Sequence, residues 1–495
     1  MDIRLDRENP TPIHLQIAHG IREQILKGMI PVGGRLPPSR KLAQRLSVNR
    51  STVIQAYNKL WAEGLIEAKV GMGTVVRPVE APREATVGPP TWGFAVTRDH
   101  GTLESEVHEL VRLFDREDLI SLAAGLPGPD LYPIDEAKTI ASDVLAREGR
   151  ALLQWCTVEG YAPLRRLLAD RFDTVSPADV MVLSGSTQGL YLLAQTMIEP
   201  GDFVIVQSPT YLGALQAFRT AGARLIGIPT DTNGMDLEML ASVLSRTRPK
   251  FMYILPTFQN PTGTTMTLEA RRSLLELAYQ YRVPIIEDDP YSLLRYEGEN
   301  LPALKSLDTH EYVIYLSTFS KILFPGLRVG WLAAPRRVID SLAPAKHMLD
   351  LFTDSLAQAI VHRFLQGGLL EKHLDRARRE YRRRRDAMDD ALRRHCPKLA
   401  FVKPQGGYFV WCTLPRGVAA RELLRGALER RVSFLTGEIF FPDGRGQDQL
   451  RLSFTSQKED AIEEGIRRIG VALRRLKREG TQRPAEKELA IKPIV

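Results

Sequence analysis

The first 63 residues carry apolar positions at helical spacing. Isoleucine recurs every fourth residue over 13–25, which predicts a first helix that ends near Gly28. A second helix is predicted over residues 40–46 with Ser39 as its cap, and a third over about 50–63. Three short amphipathic helices in succession predict a small helical unit at the start of the chain.

Two further features give this unit a specific form. A tight turn at residues 47–49 separates the second and third helices, as in a helix-turn-helix. The apolar segments 65–69 and 74–76 then flank a glycine-rich stretch at 70–73, which predicts a hairpin. A hairpin after a helix-turn-helix is the wing of a winged helix.

The same unit is locally basic, with twelve Lys and Arg against six Asp and Glu among residues 1–77. A helix-turn-helix presents the start of its second helix to DNA, and a basic face attracts phosphates. The alternative is a helical subdomain whose basic residues are only solvated. The predicted DNA contacts are Arg40, Arg50, Ser51, Thr52, Gln55 and Lys69.

Residues 78–117 are predicted as a linker, because four prolines fall within 78–92. Short apolar segments then alternate with helix-length segments, which predicts a mostly parallel sheet covered on both faces. We expect a large part at about 118–340, a small α/β part at about 341–479 and a mobile tail at 480–495. The predicted strands are Val180–Leu183, Phe203–Gln207, Arg224–Ile228, Phe251–Leu255, Pro284–Glu287, Tyr312–Leu316 and Gly330–Ala333, then Tyr408–Cys412 and Gln449–Phe454.

The arginine-rich run 376–385 falls in a predicted helix. Its apolar residues share one side, so we expect the arginines mostly on the solvated face, with extra DNA contact as the alternative.

Composition restricts the classes of protein that need to be considered. With 44% apolar and 25% charged residues the chain is typical of a soluble globular protein. It has no apolar run long enough for a membrane span and no signal-peptide pattern at its start. Its three cysteines lack metal-ligand spacing, so we expect a cytoplasmic protein without a metal site.

Lys321 is the leading candidate for chemistry. It follows the predicted strand 312–316, is flanked by hydroxyl side chains, and is followed seven residues later by Arg328. Such a lysine can form a Schiff base with an aldehyde cofactor whose phosphate the hydroxyls and Arg328 hold. The alternative is a surface lysine in a loop.

Other strand ends carry side chains that would complete such a site. Ser186 and Thr187 open a helix after strand 180–183, where free backbone N–H groups suit a phosphate, although a plain helix cap is the alternative. Tyr211 follows strand 203–207 and would place its ring over the same crevice.

Three polar residues would contact the other parts of the cofactor and its ligand. Asn260 could donate to a ring oxygen, and Asp288 at a strand end would pair with a protonated pyridine nitrogen, with Asp289 as its rival. Arg451 lies inside an apolar strand, where it needs either a substrate carboxylate or a structural ion pair.

The N-terminal unit closely resembles the GntR-type winged helix over nearly all of residues 10–77. The resembling segments are Pro12-Ile13-His14-Leu15-Gln16-Ile17, Leu36-Pro37-Pro38-Ser39-Arg40, Ser51-Thr52-Val53, Glu63-Gly64-Leu65-Ile66 and Gly71-Met72-Gly73-Thr74. The resemblance implies binding to double-stranded DNA.

Residues 118–475 resemble the pyridoxal-phosphate-dependent aminotransferases of fold type I. Ser-Gly-Ser-Thr, Asn-Pro-Thr-Gly, Asp-x-x-Tyr, Ser-Lys with Pro-Gly-Leu-Arg, and a late arginine occur in the family's order. The resemblance implies a Schiff base at Lys321, a bond from Asp288 to the pyridine nitrogen, and Tyr211 stacked on the ring. It further implies Asn260 and Tyr291 at the phenolic oxygen, Gly125 and Arg451 at the substrate, and a phosphate site made of Ser186, Thr187, Thr318, Ser320 and Arg328. Trp155 departs from the family, which usually has Tyr there.

The combination of these two units on one chain resembles the MocR-type regulators. The resemblance implies a homodimer that reads paired DNA half-sites and senses an amino compound by aldimine exchange at Lys321. An active aminotransferase that carries a DNA-binding domain is the alternative. A DNA-binding protein whose large domain is only a dimerisation scaffold is a third, against which the intact Lys321, Asp288 and Arg328 argue.

Overall fold

The computed structural model describes residues 3, 5–7, 11–69, 73–78 and 118–482. The chain divides into two units, residues 1–99 and residues 100–495. The linker predicted over 78–117 lies, apart from its first residue, outside the described residues. Its limits and the other predicted domain boundaries stay predictions.

The N-terminal unit is a winged helix-turn-helix, as predicted. Its helices are Ile13–Leu26, Ser39–Leu46 and Arg50–Ala62, and strands β1 (Ile66–Lys69) and β2 (Gly73–Val76) pair antiparallel. The isoleucine stripe of the first helix packs against the third helix, because both faces are apolar at the same spacing. The core of this unit includes Ile17, Ile21, Leu42, Val53, Leu60 and Val76.

Three details of this unit differ from the sequence prediction, add to it or leave it untested. Ser47 has a φ of 51°, so the turn between the helices begins with a left-handed residue. The predicted cap at Ser39 is wrong, because Ser39 is already helical and Pro38, which has no side-chain donor or acceptor, takes the cap position. The tip of the predicted wing, at residues 70–72, lies outside the described residues.

A seven-stranded sheet forms the centre of the larger unit. Its strands, in spatial order, are β4 (Val180–Leu183), β10 (Gly330–Ala333), β9 (Val313–Thr318), β8 (Ile285–Asp288), β7 (Met252–Ile254), β5 (Phe203–Ser208) and β6 (Arg224–Pro229). Strand β10 is antiparallel to both neighbours, and the other adjacent strands are parallel. The predicted mostly parallel sheet is confirmed, with every strand limit within two residues of its predicted place.

Helices cover both faces of this sheet. In β5, Val204 and Val206 belong to one apolar cluster and Ile205 to another, so successive side chains are buried on opposite faces. The helices of this part are Ile134–Leu152, Ala162–Ala169, Ser186–Met197, Leu212–Thr220, Leu237–Leu244, Leu268–Tyr281, Leu304–Leu307 and Arg336–Asp350.

The C-terminal part is a second α/β layer. Strands β11 (Ala400–Phe401), β12 (Phe409–Thr413), β15 (Gln449–Ser453) and β14 (Leu435–Thr436) form an antiparallel sheet in that order. Strand β13 (Val432–Ser433) instead pairs in parallel with β3 (Ile120–Ser121). The helices here are Ser355–Gln366, Leu369–His395, Ala420–Leu428 and Glu459–Gln482, the last of which continues into the first residues of the predicted tail.

The prediction for the arginine run 376–385 is wrong at two positions. Arg384 and Arg385 are fully buried. Arg384 donates to the Thr455 carbonyl at 2.6 Å and pairs with Asp130 at 2.5 Å. Arg385 donates to the Pro404 carbonyl at 2.9 Å. The helix Leu369–His395 is covered on more than one side, so its polar face is also a packing face.

None of the helices in the described part of the chain is long and apolar enough to cross a membrane.

Candidate functional site

A cavity of about 270 Å³ lies in the larger unit, among residues that follow the sheet strands β4, β5, β8 and β9. Parallel strands bring their carboxyl ends to one edge, which is where open α/β sheets bind ligands. Nine of the predicted site residues line this cavity, namely Gly125, Ser186, Tyr211, Asn260, Asp288, Tyr291, Thr318, Lys321 and Arg451. Thr187, Ser320 and Arg328 lie behind that lining, in contacts described below.

Lys321 follows β9 and directs its amine into the cavity. Its Nζ donates to the Gly125 carbonyl at 2.8 Å, and Tyr408 donates from its hydroxyl to the Lys321 carbonyl at 2.5 Å. Burial and the positive charges of Arg451 and Arg328 together lower the pKa of Lys321 to about 8, and the negative charge of Asp288 opposes them. A larger fraction of this amine is therefore uncharged at neutral pH than of an exposed lysine.

Asp288 is the last residue of β8, and one of its oxygens has no hydrogen-bond partner among the described residues. Tyr253 donates from its hydroxyl to Oδ2 at 2.5 Å, whereas Oδ1 is buried without a hydrogen bond. Burial raises the pKa of Asp288 to about 7, against the lowering effect of the Tyr253 bond. A buried orphan acceptor next to a cavity suits a ligand that brings an N–H donor, such as a protonated pyridine ring.

The neighbouring Asp289 does not offer such an acceptor. Its Oδ2 accepts from the Tyr315 hydroxyl at 2.8 Å and its Oδ1 from the Ser292 backbone N–H at 3.0 Å. Successive side chains of a strand point to opposite faces, so only Asp288 faces the cavity.

One end of the cavity gathers hydroxyls, an arginine and a helix start. The helix Ser186–Met197 begins there, and its first backbone N–H groups have no partner within the helix. Arg328 donates from Nη2 to the Ser184 carbonyl at 3.1 Å and from Nη1 to Ser320 Oγ at 3.4 Å. Thr318 Oγ1 lies 3.1 Å from Ser320 Oγ. This end has the groups that hold a phosphate.

Gly185 makes this arrangement possible. Its φ is +95°, and a Cβ built there would lie 2.5 Å from Arg328 Nη2. Only glycine gives both that backbone conformation and the room for the guanidinium.

The aromatic and amide side chains form the walls between these two ends. Tyr211 precedes the helix Leu212–Thr220 and shares a side-chain hydrogen bond with Thr187, and burial raises its pKa. Tyr291 shares a side-chain hydrogen bond with Asn260, and burial raises its pKa as well. Both phenols stay protonated and can act as hydrogen-bond donors.

Arg451 closes the opposite end of the cavity. Its Nη1 donates to Asn260 Oδ1 at 2.8 Å and its Nη2 to the Ala123 carbonyl at 2.7 Å, while Nε is buried without a partner. The guanidinium carbon lies 4.0 Å from the ring centroid of Phe409. Burial lowers its pKa to about 10. Its hydrogen-bond partners are neutral, so a ligand carboxylate would supply the missing charge.

The predicted DNA contacts lie in the N-terminal unit. At the start of the third helix Arg50, Ser51 and Gln55 are exposed and Thr52 is partly exposed; on the second helix Arg40 is exposed. Arg50 donates from Nε to Ser39 Oγ at 3.4 Å. Lys69 at the end of β1 lies 3.1 Å from Glu67, in an exposed ion pair.

Two of the residues that sequence reasoning missed contact predicted site residues. Tyr253 holds Asp288, and Phe409 lies beneath Arg451. In the sequence both look like ordinary buried strand residues. The residue that each one contacts lies on another strand, far away in the chain.

Comparison with known proteins accounts for both units. The family described as Aminotransferase class I and II matches residues 117–469, and the family described as Bacterial regulatory proteins, gntR family, matches residues 13–76. The crystal structure of LysN, an alpha-aminoadipate aminotransferase from Thermus thermophilus complexed with N-(5'-phosphopyridoxyl)-L-leucine, superimposes with a TM-score of 0.73. It is 38% identical and covers 79% of this chain and 100% of that one.

Some relatives match across both units. The uncharacterized HTH-type transcriptional regulator YisV of Bacillus subtilis (strain 168) is 32% identical over 476 residues, which is 95% of this chain and 98% of that protein. The probable rhizopine catabolism regulatory protein MocR of Rhizobium meliloti is 28% identical over 482 residues, or 96% and 97% of the two chains. The chain therefore belongs to the MocR-type regulators, in which a gntR-family helix-turn-helix is joined to a pyridoxal-phosphate-dependent domain of aminotransferase class I and II.

Proposed function

We propose that this protein regulates transcription in response to an amino compound that binds at Lys321. One observation carries the proposal. The chain that exposes a recognition helix also has a cavity in which an orphan carboxylate oxygen, Asp288 Oδ1, fits the ring nitrogen of pyridoxal phosphate. The Arg328 guanidinium, for which Gly185 leaves room, and the start of the helix Ser186–Met197 suit the phosphate.

Each predicted site residue has a task toward the cofactor in this proposal. Pyridoxal phosphate, when bound, supplies an aldehyde that reacts with amines and a ring that withdraws electrons. Lys321 provides the resident amine, Asp288 accepts from the ring nitrogen, and Tyr211 covers the ring. Asn260 and Tyr291 would form hydrogen bonds with the phenolic oxygen. The phosphate would be held by Ser186, Thr187, Thr318, Ser320 and Arg328.

The amino compound would change the contacts of one segment, residues 123–125. A ligand carboxylate at Arg451 would compete with the Ala123 carbonyl, and a ligand amine that replaced Lys321 at the cofactor aldehyde would release Nζ as a free amine, which could then donate to the Gly125 carbonyl. Both changes act on the same stretch of backbone. The shift in DNA affinity then equals the difference in ligand affinity between the two states of the protein.

An exposed apolar patch supports a homodimer. Trp155, 70% exposed, packs against Phe352 in a tilted arrangement with ring centroids 5.2 Å apart. The neighbouring exposed residues are Leu153, Met348, Leu349 and Leu351. Patches of this kind mark interfaces, and a symmetric dimer would carry two winged helices that read paired half-sites. DNA binding requires access to the chromosome, so the expected cytoplasmic location stays part of the proposal.

Two measurements on the purified protein test the proposal. Added pyridoxal phosphate should produce a visible absorption band in the wild type and in the Lys372→Ala control, an exposed lysine elsewhere, but not in Lys321→Ala. Footprinting should find a protected site in the DNA flanking the protein's own gene, and an amino compound that alters the band should alter that protection. A band that persists in Lys321→Ala, or DNA binding indifferent to every such compound, would refute it.

A working aminotransferase is the second candidate. The observation that favours it is the lowered pKa of Lys321, about 8, which suits an amine that accepts and returns a proton during amino-group transfer. The test is transfer from an amino acid to a 2-oxo acid, lost in Lys321→Ala. Binding that changes the band without product formation would favour the sensor alone.

A further inference from the structure

An apolar wall faces the Arg451 end of the cavity. Leu435, Ile439 and Phe440 line it and belong, with Ala123, to a separate apolar cluster. Leu212 lines the cavity as well and packs against the same cluster. The sequence motifs did not point to these residues, which come from strand β14, the short helical turn after it, and the start of the helix Leu212–Thr220.

The wall lies beside the point where a ligand would be anchored. The Arg451 guanidinium carbon is 5.1 Å from the ring centroid of Phe440. A ligand that holds its carboxylate at Arg451 and its amine at the Lys321 position has two substituents of Cα fixed. Its side chain is then within reach of the wall, and of Leu126, which lines the cavity and is 42% exposed at its mouth.

Each charged side chain that lines the cavity already has a role in the proposed function. Among the described lining residues the charged side chains are Lys321, Asp288 and Arg451, which would serve the amine, the ring nitrogen and the carboxylate. A second charge on the ligand would be buried against Leu435, Ile439 and Phe440 without a partner, which is costly. An apolar side chain gains from the same burial, by about fourfold in affinity per methylene.

We propose that the ligand of this site is an α-amino acid with an uncharged, apolar side chain, which the wall of Leu435, Ile439 and Phe440 selects. The inference rests on the proposed function and adds the class of amino compound. It assigns recognition of the side chain to residues separate from those that would hold the cofactor and the α-carboxylate.

The test is a titration of the full-length protein, loaded with pyridoxal phosphate, that follows the change in its visible band. The ligands are L-alanine, L-leucine, L-glutamate, L-lysine and 3-methylbutylamine, the last being leucine without its carboxylate. We expect L-leucine to bind about tenfold or more tightly than L-alanine, and the charged amino acids more weakly than L-leucine. Loss of affinity for 3-methylbutylamine would report the Arg451 contact, independently of the wall.

A pair of variants tests whether the side chain of the ligand lies along the wall, within reach of Leu126 at the mouth of the cavity. Leu126→Lys places a cation at the mouth of the cavity and should lower the ratio of leucine to glutamate affinity by about tenfold or more. Val402→Lys makes the same change at a residue that is 60% exposed and outside the lining, and should leave the ratio unchanged.

The outcomes separate the two proposals. Wild-type binding of L-glutamate or L-lysine as tight as that of L-leucine would overturn the apolar class while leaving the amino-compound sensor intact. A ratio in Leu126→Lys equal to that of the wild type would also overturn it. Absence of the band in the wild type would instead overturn the proposed function, and this inference with it.

Discussion

The pH at which Lys321 becomes reactive follows from its surroundings. The groups that face its amine are Arg451 and Arg328, whose charges lower its pKa together with burial, and Asp288, which opposes them. At a pKa of about 8, about one amine in ten is uncharged at pH 7, compared with about one in three thousand at the ordinary lysine pKa of 10.5. The buried amine should therefore react with an aldehyde about 300-fold more readily than an exposed lysine of equal intrinsic reactivity.

The assay is the rate at which the visible band forms after apo-protein is mixed with pyridoxal phosphate, from pH 6 to pH 10. The rate of Nα-acetyl-lysine amide in the same buffers, divided by the fraction of that amine that is uncharged at each pH, corrects for ionisation of the cofactor. The corrected rate should rise with pH, because the amine loses its proton, and level off above a midpoint near 8. A corrected rate that keeps rising to pH 10 without a plateau would refute the reasoning.

A pair of variants identifies the cause of the shift. Arg451→Met removes the largest charge contribution, so the Lys321 pKa should rise and the rate profile should move to higher pH. Arg451→Lys keeps a positive charge and should leave the midpoint closer to that of the wild type. Identical midpoints in the two variants would show that the charge of Arg451 does not lower the pKa of Lys321.

Four further substitutions probe the rest of the molecule. Gly185→Ala should weaken pyridoxal phosphate binding by about 1–3 kcal/mol in a fluorescence titration, because its Cβ meets Arg328 and its φ is +95°; unchanged affinity would contradict this. Arg50→Ala should cost about 1–3 kcal/mol on the specific DNA site, whereas Lys69→Ala should weaken all DNA sequences alike, as gel-shift titrations can measure. An equal loss on all sequences for Arg50→Ala would make it a phosphate contact. Arg384→Met should lower the free energy of unfolding in urea by about 1–3 kcal/mol, because the buried Thr455 carbonyl loses its donor; a loss below about 0.5 kcal/mol would contradict this.

Local chemistry was enough to find the main parts of the site. Lys321 and Asp288 stand at the ends of strongly apolar strands, and parallel strands bring such ends together whatever the details of packing. The order of the helices and the hairpin likewise predicts the winged helix, because each element follows from spacing within about fifteen residues. These features depend on neighbours in the sequence.

Other features depend on residues far apart in the chain. Arg451 donates to Asn260, which lies about 190 positions earlier in the chain, and to the Ala123 carbonyl, which lies about 330 positions earlier. The apolar wall comes from segments that carry no motif, and helical periodicity placed Arg384 on a solvated face where the structure buries it.

The sequence by itself thus determined which elements form and which side chains lie at their ends. Tertiary packing decided which of these side chains stay without a partner. The orphan oxygen of Asp288 illustrates the difference, because Tyr253 satisfies one oxygen from the adjacent strand and nothing in the described part of the chain reaches the other. Burial and hydrogen-bond satisfaction are properties of the assembled fold. The periodicity of a single segment therefore does not predict them.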